Sequence, residues 1–132
     1  MRCLFYGTLR DRDVLATVLG REPDPADIVP VRVPDHRAAP LADAPWPILV
    51  AEPGAMADGV VIDCLDAEDE ARLRYYEGAD YDLVTMPLGG STVRVFVPHS
   101  PHKAIPGIWS LDRWQAGHKA DMLPRLRLHM RD

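Results

Sequence analysis

One glutamate, Glu77, has the surroundings of a residue that transfers protons. It lies at the predicted end of a helix, among tyrosines and Gly78 rather than beside lysines or arginines that would simply pair with it. The negative end of the helix dipole and removal from water both raise the pKa of a carboxyl group there, as general acid–base catalysis near neutral pH requires. The competing interpretation is an ordinary surface glutamate near a helix end.

A short apolar run at residues 4–10 is the second feature that points to a functional site, because it ends in a Tyr6-Gly7-Thr8 turn. Gly7 carries no side chain, so a ligand can approach the N–H groups of Thr8 and Leu9 directly. A helical pattern begins at once after the run. This order predicts a site at a strand–helix junction, where backbone N–H groups bind an anion or a carbonyl oxygen. The glycine spacing does not fit a nucleotide-binding fingerprint.

Other polar residues are weaker candidates. Arg10 either attracts an acidic substrate to the mouth of the site or is a solvated arginine after the turn. His99 and His102 have the spacing of a metal-binding pair, but they lie in a proline-rich segment with no third ligand at suitable spacing, so we predict no metal site. Cys64 lies in the most strand-like run and is interpreted as a packing residue.

Composition limits the class of function. The chain has 132 residues, 47% of them hydrophobic, which suits a single domain over residues 1–132. A net charge of -5 argues against nucleic acid and anionic membranes as partners, because phosphate contacts need clustered lysines and arginines. The two cysteines have no disulfide-like spacing, and no secretory or spanning segment is recognisable, so we predict a cytoplasmic protein. The sequence makes no prediction of oligomeric state.

Strands and helices alternate along the chain and must position these residues. We predict strands at 4–6, 28–33, 48–50 and 59–65, a turn at 52–54, a hairpin from 80–88 and 92–97, and helices at 11–20, 66–78 and about 110–130. Pro124 is expected to kink or divide the last helix. This order predicts an α+β fold in which a mixed sheet or small closed β-barrel carries peripheral helices.

Several of these segments together resemble the gamma-glutamylcyclotransferase-like superfamily. Its Tyr-Gly-Ser/Thr-Leu motif matches residues 6–9. Its Leu-Asp-x-Tyr-Glu-Gly-x-x-Tyr motif, which carries the catalytic glutamate, matches residues 73–81 with Arg74 in place of the usual acid. Trp46-Pro47 resembles an aromatic-proline step before a central strand, and residues 111–120 resemble the terminal helix of short bacterial members. The resemblance covers nearly the whole chain and is loose over residues 34–45.

The resemblance implies a compact β-barrel whose cavity holds both motifs, and an enzyme without cofactor or metal. Its substrate would be a small gamma-glutamyl compound, whose α-amine attacks its own γ-carbonyl and releases 5-oxoproline and an amine. Glu77 would be the general acid and base. The resemblance and the loop together imply these substrate-binding residues: Tyr6, Gly7, Thr8, Leu9, Arg10 and Tyr81.

Three alternatives stay open at this level. The enzyme could act on gamma-glutamylamine adducts rather than on gamma-glutamyl amino acids. The same fold could hold a non-catalytic protein that binds a small amino-acid-like ligand. The terminal helix around Trp114 could dock a partner, which would make the chain an interaction module.

Overall fold

A computed structural model describes residues 1–99 and 104–131 of the chain. The strands are β1 (Cys3–Phe5), β2 (Ile28–Ala39), β3 (Ile48–Ile62), β4 (Tyr81–Leu88) and β5 (Ser91–Pro98). The helices are α1 (Arg12–Leu19), α2 (Ala67–Glu77), α3 (Leu111–Trp114) and α4 (Ala120–Arg131). Short 3-10 turns lie at Thr8–Arg10 and Pro25–Asp27, and a π-helical stretch at Gln115–Lys119 joins α3 to α4.

The five strands form one mixed sheet in the order β2-β3-β1-β5-β4. Central β1 pairs antiparallel with β3 and parallel with β5, and β4 and β5 form the predicted hairpin. The predicted α+β class is therefore confirmed. The sheet is not closed, however: within the described residues, β2 and β4 remain its two edges. Both edges carry prolines, Pro30 and Pro34 in β2 and Pro87 in β4, which cannot donate a hydrogen bond to a further strand.

Strand β3 is longer than the sequence patterns predict. It runs through residues 52–54, so the turn predicted there does not end the strand. Its extra residues are absorbed by a shift in register opposite Asp35 of β2, which has a positive φ of 59°. The Asp35 carboxylate accepts a hydrogen bond from the Gly54 N–H at 2.9 Å and so fixes the bulge.

Helices α1 and α2 begin and end at the predicted capping residues. Asp11 caps the start of α1, and Gly20 ends it in the left-handed conformation. Asp66 opens α2 with a capping box that it forms with Asp69, and Gly78 follows its last residue. The local signals for both helices are thereby confirmed.

The main hydrophobic core lies between the sheet and the helices. Its buried side chains come from strands and helices alike and include Cys3, Phe5, Val14, Leu15, Val18, Ile62, Leu73, Trp114, Leu123 and Met130. Burying one large apolar side chain stabilises a fold by about 1.5–3 kcal/mol, so this packing holds the helices on the sheet. The expectation that Cys64 packs in a strand is wrong, because β3 ends at Ile62 and Cys64 is exposed.

The C-terminal helical segment runs from Leu111 to Arg131 and confirms the terminal helix predicted at about 110–130. Pro124 lies inside α4 and does not divide it. The departure from α geometry comes earlier, in the π-helical stretch. No helix in the described part of the chain is long and apolar enough to cross a membrane.

Asp11 ties this terminal segment to α1. Its side chain is only 1% exposed and lies 2.9 Å from the Lys119 ammonium nitrogen. It also accepts hydrogen bonds from the Gln115 side-chain amide at 2.8 Å and from the N–H groups of Asp13 and Val14, each at 3.0 Å. Burial acts to raise the pKa of Asp11, but these hydrogen bonds outweigh it and hold the pKa below its ordinary value.

We expect Asp11→Ala to lower the free energy of unfolding by about 2–4 kcal/mol, because it removes a helix cap and the buried acceptor of Lys119 and Gln115. Urea unfolding at pH 7 measures this loss. The folded pKa of Asp11 lies below its unfolded value of about 3.9. The charge of Asp11 therefore stabilises the fold above about pH 4, and this contribution is lost as the pH falls through the folded pKa.

The control is Asp121→Ala, which removes a 71% exposed carboxylate that pairs with Arg125 on the helix surface. We expect a change of only about 0.5 kcal/mol or less there, as is usual for exposed pairs. An Asp11→Ala variant no less stable than this control would contradict the structural role of Asp11.

Candidate active site

One cavity of ≈ 210 Å³ lies where the end of β1 meets the end of α2. Its walls come from several elements: residues 4–9, Trp46, Pro47, Tyr76, Glu77, Tyr81, Phe96 and Met122. Most of these side chains are apolar or aromatic. Among the described lining residues, Glu77 is the only one with an acidic or basic side chain. The cavity is small for a ligand site and suits a compact ligand of amino-acid size.

Glu77 owes its position to the length and anchoring of α2. It is the last residue of the helix, directly before Gly78, whose φ of 82° ends the helical path. One turn earlier, Leu73 is fully buried in the main core and holds the helix in place. The helix therefore delivers the Glu77 carboxyl group to the cavity from a rigid element.

Removal from water dominates the electrostatics of Glu77. It raises the pKa of this carboxyl group from 4.5 to about 7. None of the ion pairs among the described residues includes Glu77, so no cation offsets the cost of burying its charge. A group with this pKa exchanges its proton readily near neutral pH, in either direction.

The tyrosines beside Glu77 keep their protons. Burial and the nearby Glu77 charge raise the pKa of Tyr76 to about 12, against the opposing effect of its hydrogen bond with Thr8. Burial and Glu77 also raise the pKa of Tyr81. Both hydroxyl groups therefore remain neutral hydrogen-bonding groups, while the carboxyl group alone titrates near neutrality.

The turn after β1 also lines the cavity. The Arg10 N–H donates to the Gly7 carbonyl at 3.1 Å, and the Asp11 N–H donates to the Thr8 carbonyl at 3.0 Å. The N–H groups of Gly7, Thr8 and Leu9 lie at the N-terminal end of this 3-10 turn. Backbone N–H groups at that end have no hydrogen-bond acceptor within the turn itself. The turn residues Gly7, Thr8 and Leu9 and the Glu77 side chain thus line the same cavity.

Side-chain hydrogen bonds fix the relation between the turn and α2. The Thr8 hydroxyl lies 2.8 Å from the Tyr76 hydroxyl, and Tyr76 directly precedes Glu77. Tyr6 directly precedes the turn and lines the cavity, and its hydroxyl donates to the Phe96 carbonyl at 3.1 Å. The Tyr6 hydroxyl is therefore already hydrogen-bonded to the protein, so Tyr6 offers the cavity its aromatic ring.

Most residues singled out from the sequence meet in this cavity. Glu77, Tyr6, the 7–9 turn and Tyr81 all line it. Arg10 does not: it ends the 3-10 turn and is absent from the lining. Both predicted motifs therefore line one cavity, and the part that each residue plays in binding stays a prediction.

The structure describes one of the two histidines that have metal-binding spacing. His99 lies 2.9 Å from an Asp82 carboxylate oxygen on the hairpin. His102 lies outside the described residues. Across residues 1–99 and 104–131, no group of three or more metal-ligating side chains comes together.

Some lining residues were not predicted as site residues. Trp46 and Pro47 were noted only as an aromatic-proline step, and that step was the one signal pointing to them. Phe96 and Met122 belong to the apolar patterns of β5 and α4, which predict burial and carry no sign of a cavity. Their contribution depends on tertiary packing.

The sequence matches one family model over most of its length. The family is described as gamma-glutamyl cyclotransferase, AIG2-like, and the match covers residues 3–116. The matched region contains the turn, the wall residues Trp46 and Pro47, and Glu77, whereas Met122 of α4 lies beyond it. Comparison of the sequence with curated proteins gives no match.

Solved structures with the same fold come from two distant organisms. A solution structure from Arabidopsis thaliana is 23% identical, with a TM-score of 0.63, and the alignment covers 96% of this chain and 79% of the other. A second Arabidopsis thaliana solution structure is 24% identical, with a TM-score of 0.61 and coverage of 98% and 90%. A crystal structure of an uncharacterized protein from Pyrococcus horikoshii is 17% identical, with a TM-score of 0.62 and coverage of 92% and 98%. These likenesses support the fold.

Glu77→Gln is expected to stabilise the fold at pH 8 by roughly 1–3 kcal/mol. The folded pKa of Glu77, about 7, lies above its ordinary value of 4.5, so its ionisation increasingly disfavours the folded state as the pH rises between these values. The neutral glutamine carries no such cost. Urea unfolding of both proteins at pH 4.5 and pH 8 should show the gain only at the higher pH.

The control is Glu68→Gln, an exposed position in the first turn of the same helix. It should show no comparable gain at pH 8, because Glu68 lies at the positive end of the helix dipole. Equal stability of the wild type and Glu77→Gln at pH 8 would mean that Glu77 ionises as it does in water.

Proposed function

We propose that this chain, which belongs to the gamma-glutamyl cyclotransferase, AIG2-like family, converts a small gamma-glutamyl compound into 5-oxoproline and a free amine. The observation that carries the proposal is that Glu77 and the 7–9 turn line one small cavity together. A carboxyl group with a pKa of about 7 and a set of backbone donors are the two parts that such a cyclisation needs.

The first step is attack of the substrate's α-amine on its own γ-carbonyl carbon. At pH 7 this amine is an ammonium ion, so the Glu77 carboxylate first removes a proton from it. The nitrogen then forms a bond to the carbonyl carbon, and the carbonyl π electrons move to the oxygen. Because nucleophile and electrophile belong to one molecule, the ring closes at high effective concentration once the chain is held in a bent conformation.

The negative charge formed in this step needs hydrogen-bond donors. In the proposed complex the N–H groups of Gly7, Thr8 and Leu9 bind the substrate's carboxylate or carbonyl oxygen, and bonds to the latter strengthen as negative charge develops. The hydrogen bond between Thr8 and Tyr76, 2.8 Å long, keeps this turn at a constant distance from the end of α2. Donors that are already oriented need no rearrangement during the reaction.

The second step expels the amine. The tetrahedral centre collapses, the oxygen electrons re-form the carbonyl, and the bond between the γ-carbon and the leaving nitrogen breaks. Protonated Glu77 gives its proton to that nitrogen, and the restored carboxylate then removes the second proton from the ring nitrogen. Glu77 passes this proton to the departing amine, which leaves as an ammonium ion, so the carboxylate is free for the next cycle. Carboxyl group and backbone donors together supply every step, so the proposed mechanism uses no metal and no cofactor.

Three further residues predicted to bind substrate, Tyr6, Tyr81 and Arg10, take no part in the proton transfers of the proposed mechanism. The rings of Tyr6 and Tyr81 enclose the substrate, since both line the cavity. Arg10 contributes only attraction of an acidic substrate over a distance, because it lies outside the lining. A cytoplasmic location belongs to the same proposal and rests on two free cysteines, Cys3 and Cys64.

The lining favours one class of leaving group. None of its described members is a lysine or an arginine that could pair with the carboxylate of a departing amino acid. Burying such a carboxylate without a partner is costly. The lining therefore favours leaving amines that carry no carboxylate. Gamma-glutamyl compounds of such amines should be tested together with gamma-glutamyl amino acids.

We expect Glu77→Gln to lower kcat/KM for 5-oxoproline release by at least about 100-fold, because the amide can neither accept nor deliver the proton. The wild type should gain activity as the pH rises through about 7, where Glu77 becomes ionised. Incubation with gamma-glutamyl amino acids and amines, followed by quantification of 5-oxoproline, measures both effects.

Glu68→Gln serves again as the matched variant and should keep wild-type turnover. Retained activity in Glu77→Gln would remove Glu77 from the mechanism. If the wild type releases no 5-oxoproline from any compound in the panel, the cyclotransferase proposal fails, and thermal shifts induced by the same compounds would then support a binding protein.

A further inference from the structure

We propose that Trp109 is a positioning residue for this reaction, because its indole group holds the Trp46-Pro47 wall of the cavity in place. The inference rests on the proposed function for its catalytic meaning. It concerns a residue that is not itself part of the cavity lining. Trp109 acts through the backbone of the residue that precedes Trp46.

The wall lies in a segment that has little regular structure of its own. Residues 40–47 connect the end of β2 at Ala39 to the start of β3 at Ile48. Trp46 and Pro47 both line the cavity. A Cβ atom added at Gly7 would lie 3.3 Å from the Pro47 ring, so the wall packs directly against the turn that offers backbone donors. Contacts from other segments add to this packing and help to fix the position of the wall.

A second segment, residues 104–109, supplies those contacts, and we call it the strap. The Trp109 indole N–H donates to the Pro45 carbonyl at 2.7 Å, and the Trp109 backbone N–H donates to the Ala38 carbonyl at 2.9 Å. The Ile105 N–H donates to the Pro40 carbonyl at 2.9 Å. The strap therefore bonds to both ends of the segment that carries the wall.

Arg37 of β2 joins the strap to the sheet. Its guanidinium group donates to the Ile105 carbonyl at 3.0 Å and to the Gly107 carbonyl at 2.7 Å. Its Nε also pairs with Glu52 of β3 at 3.2 Å, which ties the strap to the sheet. The strap is thus a fixed support, and of its described hydrogen bonds the one from the Trp109 indole lies nearest in sequence to Trp46.

Loss of this indole bond should free the wall without changing the acid–base group. Pro45 directly precedes Trp46, so release of its carbonyl lets Trp46 and Pro47 move away from the turn. Glu77 lies on α2, which is anchored separately through Leu73. Substrate binding should therefore weaken while the pH dependence set by Glu77 stays the same.

The chain offers a matched pair of variants for the test. Trp109→Phe removes the indole N–H and keeps an aromatic ring against the main core, with which Trp109 is packed. Trp114→Phe makes the same chemical change at a tryptophan that is 2% exposed. The Trp114 indole nitrogen has no hydrogen-bond partner among the described residues, so no bond is lost there.

Two measurements are made on the wild type and on both variants, at a temperature well below unfolding. Amide hydrogen exchange of residues 38–49, read without substrate, should be faster by about two- to tenfold in Trp109→Phe, the range expected for one lost hydrogen bond, and unchanged in Trp114→Phe. The KM for 5-oxoproline release should rise by a similar factor in Trp109→Phe alone, and the midpoint of the pH–rate profile should stay at that of the wild type.

Each outcome decides the inference. Faster exchange and raised KM in Trp109→Phe only, with an unmoved pH midpoint, support it. If Trp109→Phe matches Trp114→Phe in exchange or in KM while the wild type is active, the positioning role is wrong and the proposed function stands. If the wild type releases no 5-oxoproline, the proposed function fails and the role of Trp109 in it fails as well, whatever the exchange rates show.

Discussion

Desolvation of the Glu77 carboxyl group is the constraint on which the proposed chemistry depends, and it has to be enforced by the rest of the fold. A flexible chain end would let the carboxylate return to water, where its pKa would be ordinary. Helix α2 prevents this because hydrogen bonds join it to α1 and to Arg21, which follows α1. Arg21 binds the Asp69 carboxylate through two nitrogens, at 3.1 and 2.7 Å, and Arg72 donates to the Val18 carbonyl at 2.6 Å. These bonds and the buried core hold Glu77 in an environment that disfavours its charge.

The 7–9 turn, which also lines the cavity, is held by a comparable arrangement. Asp11 accepts hydrogen bonds from the start of α1 and from the terminal segment, so the chain directly after the turn is fixed from two directions. The Thr8–Tyr76 hydrogen bond then joins this side to α2, and the strap holds the third wall at Pro45. Donors, carboxyl group and wall therefore belong to separate elements whose relative positions depend on a few specific polar contacts.

The features that could be predicted from the sequence are those with local causes. Asp66 and Gly78 bound α2 through interactions within a few residues, so the position of Glu77 at a helix end follows from the sequence alone. Long-range contacts carried no such signal. The turn predicted at residues 52–54 does not end β3, and the Gly54 N–H there bonds to Asp35, which lies on another strand. The prediction of a closed barrel is wrong for the same reason, because closure depends on whether the two edge strands, β2 and β4, pair with each other. Trp109 and Met122 reach the site region only through tertiary packing.

The account is tested most directly by the titration of Glu77 itself. Carbon-detected NMR of protein labelled at the glutamate carboxyl carbons follows its ionisation, and the signal that disappears in Glu77→Gln assigns it. The structure predicts a midpoint near pH 7, because burial in the cavity raises the pKa to about 7. A midpoint near 4.5, the ordinary value for a glutamate, would show that the carboxyl group is hydrated and would contradict its assignment as the proton-transfer group of a desolvated site.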